Sequence, residues 1–198
     1  VEGQFTHSDN TTYNASMLTE KFAKSGSDIF VTVVAYDDTD ADGFYSIGEG
    51  VSGVDFGIGS DTGSRASAGG YKVAALANSA LDVMVPGGGI NAHLRLDPGN
   101  QNAKLDIVDG IWALSSADLE LVSGMANGAL LGVADLNATG DDTHNRLAGN
   151  KGDNILSGGA GDDILMGGAG EDTLNGDDGS DTASYANATA AVIVRLWS

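Results

Sequence analysis

Apolar residues along this chain come in short runs and alternating pairs, never in a sustained helical period. The run IFVTVVAY (29–36) is rich in β-branched and aromatic residues and predicts a strand. Further strands are predicted at 51–58 (VSGVDFGI), 71–77 (YKVAALA), 80–86 (ALDVMVP), 91–97 (NAHLRLD) and 103–109 (AKLDIVD), with Gly, Asp, Asn and Ser between them. Alternation is clearest where Leu81, Val83 and Val85, then Leu94 and Leu96, share one face. Six short strands over about 80 residues predict a small β-sandwich at 28–109. Residues 1–27 are polar apart from one short amphipathic stretch at 17–22, and read as the tail of a missing upstream domain or a linker. Residues 110–139 form a bridge. Its first half, IWALSSADLELVSG, fits a strand or a short helical turn, and ALLGVADLNATG fits the first rung of a repeat array that begins at Gly140.

From Gly140 the pattern changes to a repeat of nine: GDDTHNRLA, GNKGDNILS, GGAGDDILM, GGAGEDTLN, GDDGSDTAS. Position one is Gly140, Gly149, Gly158, Gly167 and Gly176. Position four is Gly in every repeat except the first, which has Thr143. Position six is Asn145, Asn154, Asp163, Asp172 and Asp181. Position eight is Leu147, Leu156, Leu165 and Leu174, then Ala183. Glycine admits the positive φ of a turn whose carbonyls face a cation, the position-six side chain adds oxygen and charge, and the leucine points inward from a short strand. One repeat cannot bury its leucine alone, so the turns must stack. A flexible acidic linker would have no reason to place leucine every nine residues.

Composition agrees with a cation partner. The chain has 28 acidic and 9 basic residues, a formal net charge of -19. That balance excludes a nucleic-acid partner, which calls for the opposite charge. With 41% hydrophobic residues the chain has enough apolar surface for a core, so simple disorder does not explain the acidity. Carboxylate oxygens suit Ca²⁺. Cysteine is absent, which removes disulfides and thiolate metal sites. No apolar run reaches the roughly 20 residues of a membrane helix, so no membrane span is expected. No signal-peptide pattern opens the chain, and its start at Val1 and end at Ser198 read as those of a fragment.

The nonapeptide resembles the RTX (hemolysin-type) calcium-binding repeat, GGxGxDxUx. The resemblance implies a parallel β-roll at 140–184, with two nonapeptides per coil and Ca²⁺ in the turns between consecutive coils. Residues two repeats apart then share a site. As ligands it implies Asn145, Asn154, Asp163, Asp172 and Asp181, with Gly158, Gly161, Gly167 and Gly170 in the turns. Asp163 with Asp181 is the pair with carboxylates in both slots; Asn145 with Asp163 and Asn154 with Asp172 would be mixed and weaker. The segment after the repeat resembles the strand that closes the open end of such arrays, here a capping strand at 185–198. The resemblance also implies a secreted, extracellular bacterial protein, exported by type I secretion and folding where calcium is plentiful.

A second acidic motif, DTDADGFYSIGE at 38–49, fits D-x-D-x-D-G-x5-E without a mismatch. Asp38, Asp40 and Asp42 take positions one, three and five, Phe44 offers a carbonyl, Ser46 a water-mediated contact and Glu49 a bidentate carboxylate. Predicted strands, not helices, flank it. The surrounding stretch resembles the calcium-binding B-repeat (prealbumin-like) β-sandwiches of bacterial surface proteins, and the module that follows a CAP domain in some bacterial RTX proteins. The expected fold class is therefore all-β: a small β-sandwich followed by a short parallel β-roll.

Catalytic patterns are missing. His7, His93 and His144 are isolated, and neither H-E-x-x-H nor G-x-S-x-G occurs. His144 reads as a solvated repeat side chain. The expectation is a non-catalytic calcium-binding module. Two alternatives stay open: the secretion and stability tail of an extracellular enzyme encoded upstream, and an adhesin whose sandwich meets a cell surface or glycan.

Overall fold

A computed structural model describes residues 3–6, 12–15, 28–41, 49–51, 54–58 and 70–186. The described residues are all-β, with no helix among them. Two strands near the start, β1 (Gly3–Thr6) and β2 (Thr12–Ala15), pair antiparallel as a separate small sheet. The next six are β3 (Asp28–Tyr36), β4 (Gly57–Ile58), β5 (Gly70–Leu76), β6 (Leu81–Gly87), β7 (Ile90–Asp97) and β8 (Ala103–Val108). They fall where the apolar runs predict strands. The bridge resolves into strands as well: β9 (Trp112–Ser115), β10 (Asp118–Ser123), β11 (Asn127–Leu130) and β12 (Asn137–Thr139). The repeats supply β13 (Arg146–Ala148), β14 (Ile155–Ser157), β15 (Ile164–Met166), β16 (Thr173–Asn175) and β17 (Thr182–Ala183).

Two large sheets result. One runs β16-β14-β12-β10-β7-β6-β4 and the other β17-β15-β13-β11-β9-β8-β3-β5. Each sheet begins in the upstream strands and continues without a break into the repeats. In the first, β7 pairs antiparallel with β10, and every later neighbour is parallel. In the second, β8 pairs antiparallel with β9, and parallel pairing runs from β9 to β17. The parallel portion is a roll of about four turns. It alternates between the sheets as it winds, which makes neighbours of residues two repeats apart: Leu147 opposite Leu165, and Leu156 opposite Leu174.

The core is shared in the same way. Val31, Val33, Leu94, Leu105 and Ile107 from the upstream strands form one apolar cluster with Leu147, Leu156 and Leu165 from the repeats. Burying each such side chain contributes roughly 1.5–3 kcal/mol. At the junction Gly128 of β11 occupies an inward position. A Cβ there would lie 3.2 Å from both Leu119 Cδ2 and Leu147 Cδ2, so glycine lets the last upstream leucines close on the first repeat leucine. Packing thins toward the far end, where Leu174 is only partly buried and Ala183 is exposed. Residues 187–198, most of the expected capping strand, lie outside the described residues. Among those described, no helix is long and apolar enough to cross a membrane.

Candidate metal centres

The roll's turns form two columns, one at each side of the sheets. Turns 140–145, 158–163 and 176–181 stack in the first, and turns 149–154 and 167–172 in the second. Side chains at position six link each column. Asp163 Oδ1 accepts the Asn145 N–H at 2.7 Å, Asp181 Oδ1 the Asp163 N–H at 3.0 Å, and Asp172 Oδ1 the Asn154 N–H at 3.0 Å. The expected pairs two repeats apart are thus neighbours.

The other carboxylate oxygen of Asp163 is the anomaly. Asp163 is 1% exposed, yet its Oδ2 has no hydrogen-bond partner. It points to the space at the Cα of Gly158, where a side chain would overlap Asp163 Oδ2 and come 2.7 Å from the Gly176 carbonyl oxygen of the next coil. An ionised carboxylate oxygen and a carbonyl oxygen that approach one point repel one another unless a cation joins them. Burial, together with the charges of Asp181 and Asp141, pushes the Asp163 carboxyl above the usual aspartate range, against the opposing pull of the Asn145 N–H and His144. At Gly167 a side chain would likewise overlap Asp172 Oδ2, while at Gly140 and Gly149 it would meet Asn145 Oδ1 and Asn154 Oδ1 together with the Gly158 and Gly167 carbonyls of the next coil. Gly161 and Gly170 turn the chain with φ of 112° and 126°, a region other residues rarely occupy.

A second ladder, at position five, is not marked by the nonapeptide pattern. Asp153 N donates to Asp135 Oδ1 and Glu171 N to Asp153 Oδ1 in the second column, at 2.9 and 2.7 Å. In the first column Asp162 N donates to His144 Nδ1 at 2.6 Å and Ser180 N to Asp162 Oδ1 at 3.0 Å. Here the earlier coil supplies the acceptor; at position six the later coil does. His144 is therefore exposed but engaged. The residue types at position five vary too much for a period to betray them.

The other acidic motif lies where β3 ends. Asp38, Asp40 and Glu49 bring one carboxylate oxygen each to within 4.8 Å of one another. Glu49 is buried, and its Oε1 accepts from Thr39 N and Thr39 Oγ1, both at 2.9 Å, and from Asp40 N at 3.4 Å. Asp109, at the end of the neighbouring β8, fixes the loop's start by accepting the Asp38 N–H at 2.8 Å. Asp42, Phe44 and Ser46 lie outside the described residues. Beneath the cluster, Tyr36 is 2% exposed. Burial first, then the negative charges of Asp106, Asp38, Glu49 and Asp109, push its phenol up to about 12. Asp106 itself is buried on β8, holding Lys104 through Oδ2 and leaving Oδ1 without a partner.

Residues 139–174 and 148–183 match the family model of the RTX calcium-binding nonapeptide repeat (4 copies). The roll is made of RTX-type repeats. The match covers under a quarter of the chain, and no curated protein or solved structure matches it. RTX nonapeptides are calcium-binding motifs, so the bare oxygen of Asp163 lies in a turn type suited to that ion. The RTX match begins at residue 139, whereas parallel pairing already joins β9 with β11 and β10 with β12, strands that lack the glycine-and-leucine period.

Tyr36 makes one consequence of the acidic loop measurable. Its folded pKa lies above its unfolded value of 10.0, so the folded protein holds the phenolic proton more tightly. The associated stability is complete below pH 10 and is lost as pH rises toward 12. Urea midpoints are expected to fall over that interval in the wild type, and less steeply in Tyr36→Phe.

Proposed function

We propose that this chain is a calcium-binding module of a secreted bacterial protein, with no catalysis of its own, whose repeat roll is completed by calcium outside the cell. The observation that carries the reading is the buried, unpartnered Oδ2 of Asp163 beside the Gly176 carbonyl, within RTX-type repeats. Asp163 and Asp181 would hold one ion with turn carbonyls, and Asp172 would contribute in the second column. Asp38, Asp40 and Glu49 are assigned to calcium in the same reading, on the strength of their motif spacing and convergence. With a net charge of -19, self-repulsion opposes folding and bound cations relieve it. In a low-calcium cytoplasm the open turns would stay loose, which suits export, and calcium outside would close them.

The test is far-UV circular dichroism of the chain through a calcium titration, with magnesium as control. Calcium is expected to raise the β signal at concentrations where magnesium does not. Identical spectra in EDTA and in excess calcium would sink the proposal.

A further inference from the structure

The five repeats do not all close in the same way. In the first two, position six is asparagine, and both arms of the amide are used. Asn145 Oδ1 accepts the N–H of Asp141 at 2.7 Å, and Asn154 Oδ1 that of Asn150 at 2.8 Å. Because the oxygen meets an N–H, the nitrogen is the other arm. Asn154 Nδ2 donates to the Leu136 carbonyl of the preceding coil at 2.7 Å, and Asn145 Nδ2 reaches the Ala126 carbonyl at 3.4 Å and Asp141 Oδ1 at 3.3 Å. Asn150 tightens its turn further by donating to the Leu131 and Ala134 carbonyls at 3.1 and 3.0 Å.

The later repeats differ at two places at once. Position six is aspartate, which has no donor for a carbonyl when ionised. Position two turns left-handed, at Gly159 (φ 97°), Gly168 (φ 99°) and Asp177 (φ 65°), whereas Asp141 and Asn150 in the first two repeats are not among the positive-φ residues. In the third repeat, Asp163 Oδ2 accordingly lacks the N–H that Asn145 Oδ1 and Asn154 Oδ1 receive.

From this contrast the structure assigns Asn145 and Asn154 to metal-free closure of the first two turns, their Oδ1 receiving the position-two N–H that Asp163 Oδ2 lacks and their Nδ2 binding a carbonyl of the preceding coil. The inference rests on the calcium reading of the later turns and offers a different role for these asparagines from the weak ligands that the resemblance implies. Its meaning for the fold is a division of labour. The first coil of repeats is closed by protein alone, continuous with the upstream sheets, and calcium-dependent winding starts only at the turn holding Asp163. The calcium-independent body thus presents a finished edge, β13 and β14, on which the remaining coils form.

Melting temperature of the full chain in EDTA and in saturating calcium, with calcium counted by isothermal titration calorimetry, tests the assignment. Asn154→Ala is expected to lower the melting temperature by about 3–6 °C in both conditions, with the ion count unchanged. Asn145→Ala, whose carbonyl contact is longer, should show a smaller loss of the same kind, and serves if the first variant does not fold. A lower ion count in either variant, or a loss seen in calcium but not in EDTA, would make the asparagines ligands and overturn the assignment. So would a wild type with no melting transition in EDTA. A wild type that binds no calcium would instead remove the calcium reading, while the EDTA melting temperatures still decide the closure.

Discussion

Asp163→Asn is expected to act with opposite signs in the presence and absence of calcium. Asparagine keeps an oxygen for the Asn145 N–H, so the coil-to-coil hydrogen bond survives. What it removes is the charge. Without calcium that charge is a burden, because Asp163 is 1% exposed and its carboxyl titrates above the usual aspartate range. For a group whose folded pKa is raised, the stabilising contribution belongs to the protonated form. It is present below the unfolded pKa and lost as pH rises through the folded one. Above the folded pKa the wild type has lost it, and the neutral asparagine restores it. In EDTA the variant is therefore expected to melt higher than the wild type, and mild acidification should narrow the gap by stabilising the wild type more.

In calcium the order reverses. The variant gives up a charged ligand, and with calcium about a hundredfold above its dissociation constant the lost linkage is about 2.7 kcal/mol. Calorimetry should count one ion fewer. Asp163→Asn combined with Asp181→Ala, which lacks both carboxylates of the pair, should lose that same ion and no other. Thermal melts of wild type and Asp163→Asn, each in EDTA and in calcium, are enough to read the crossing. If the variant is less stable in both, Asp163 acts through hydrogen bonding and not through a cation. If it is more stable in both, the bare oxygen is merely tolerated.

Much of the roll was legible because its information is periodic. A leucine every nine residues forces stacking, and stacking places Asp163 beside Asp181 and Asn154 beside Asp172. The upstream strands were legible by their β-branched runs, and the convergence of Asp38, Asp40 and Glu49 by motif spacing. The seam between the two parts was not. The parallel pairing of β3 with β8 joins residues some seventy positions apart, Val31 with Ala103, and leaves no local trace. The bridge hid its strands because β9 to β12 are short and Gly128 replaces an inward apolar residue at the junction. The contrast between asparagine and aspartate turns was written in the sequence at positions two and six. Its meaning depends on where the Leu136 carbonyl of the previous coil lies, which only the wound chain reveals.

That seam makes a second large effect predictable. Leu147 and Leu165 face each other across adjacent coils, at 0% and 2% exposure, in the core shared with the upstream strands. Truncating either leaves a cavity that calcium cannot fill, at about 2–5 kcal/mol. The two differ in which side of the calcium-dependent boundary they occupy. Leu147 precedes the turn of Asp163 and packs against Leu119 and Leu121 around Gly128, so Leu147→Ala should lose that stability with or without calcium. Leu165 comes after that turn, so Leu165→Ala should lose a similar amount in calcium and much less in EDTA, where its coil is already loose. Urea denaturation of both variants in the two conditions gives the comparison, and exposed Ile155→Ala on the outer face is the control expected within about 0.5 kcal/mol of wild type. Equal losses for Leu165→Ala in EDTA and in calcium would mean that the whole roll winds without metal. Loss of both effects in EDTA would mean that none of it does, and that the first coil is no extension of the upstream sheets in solution.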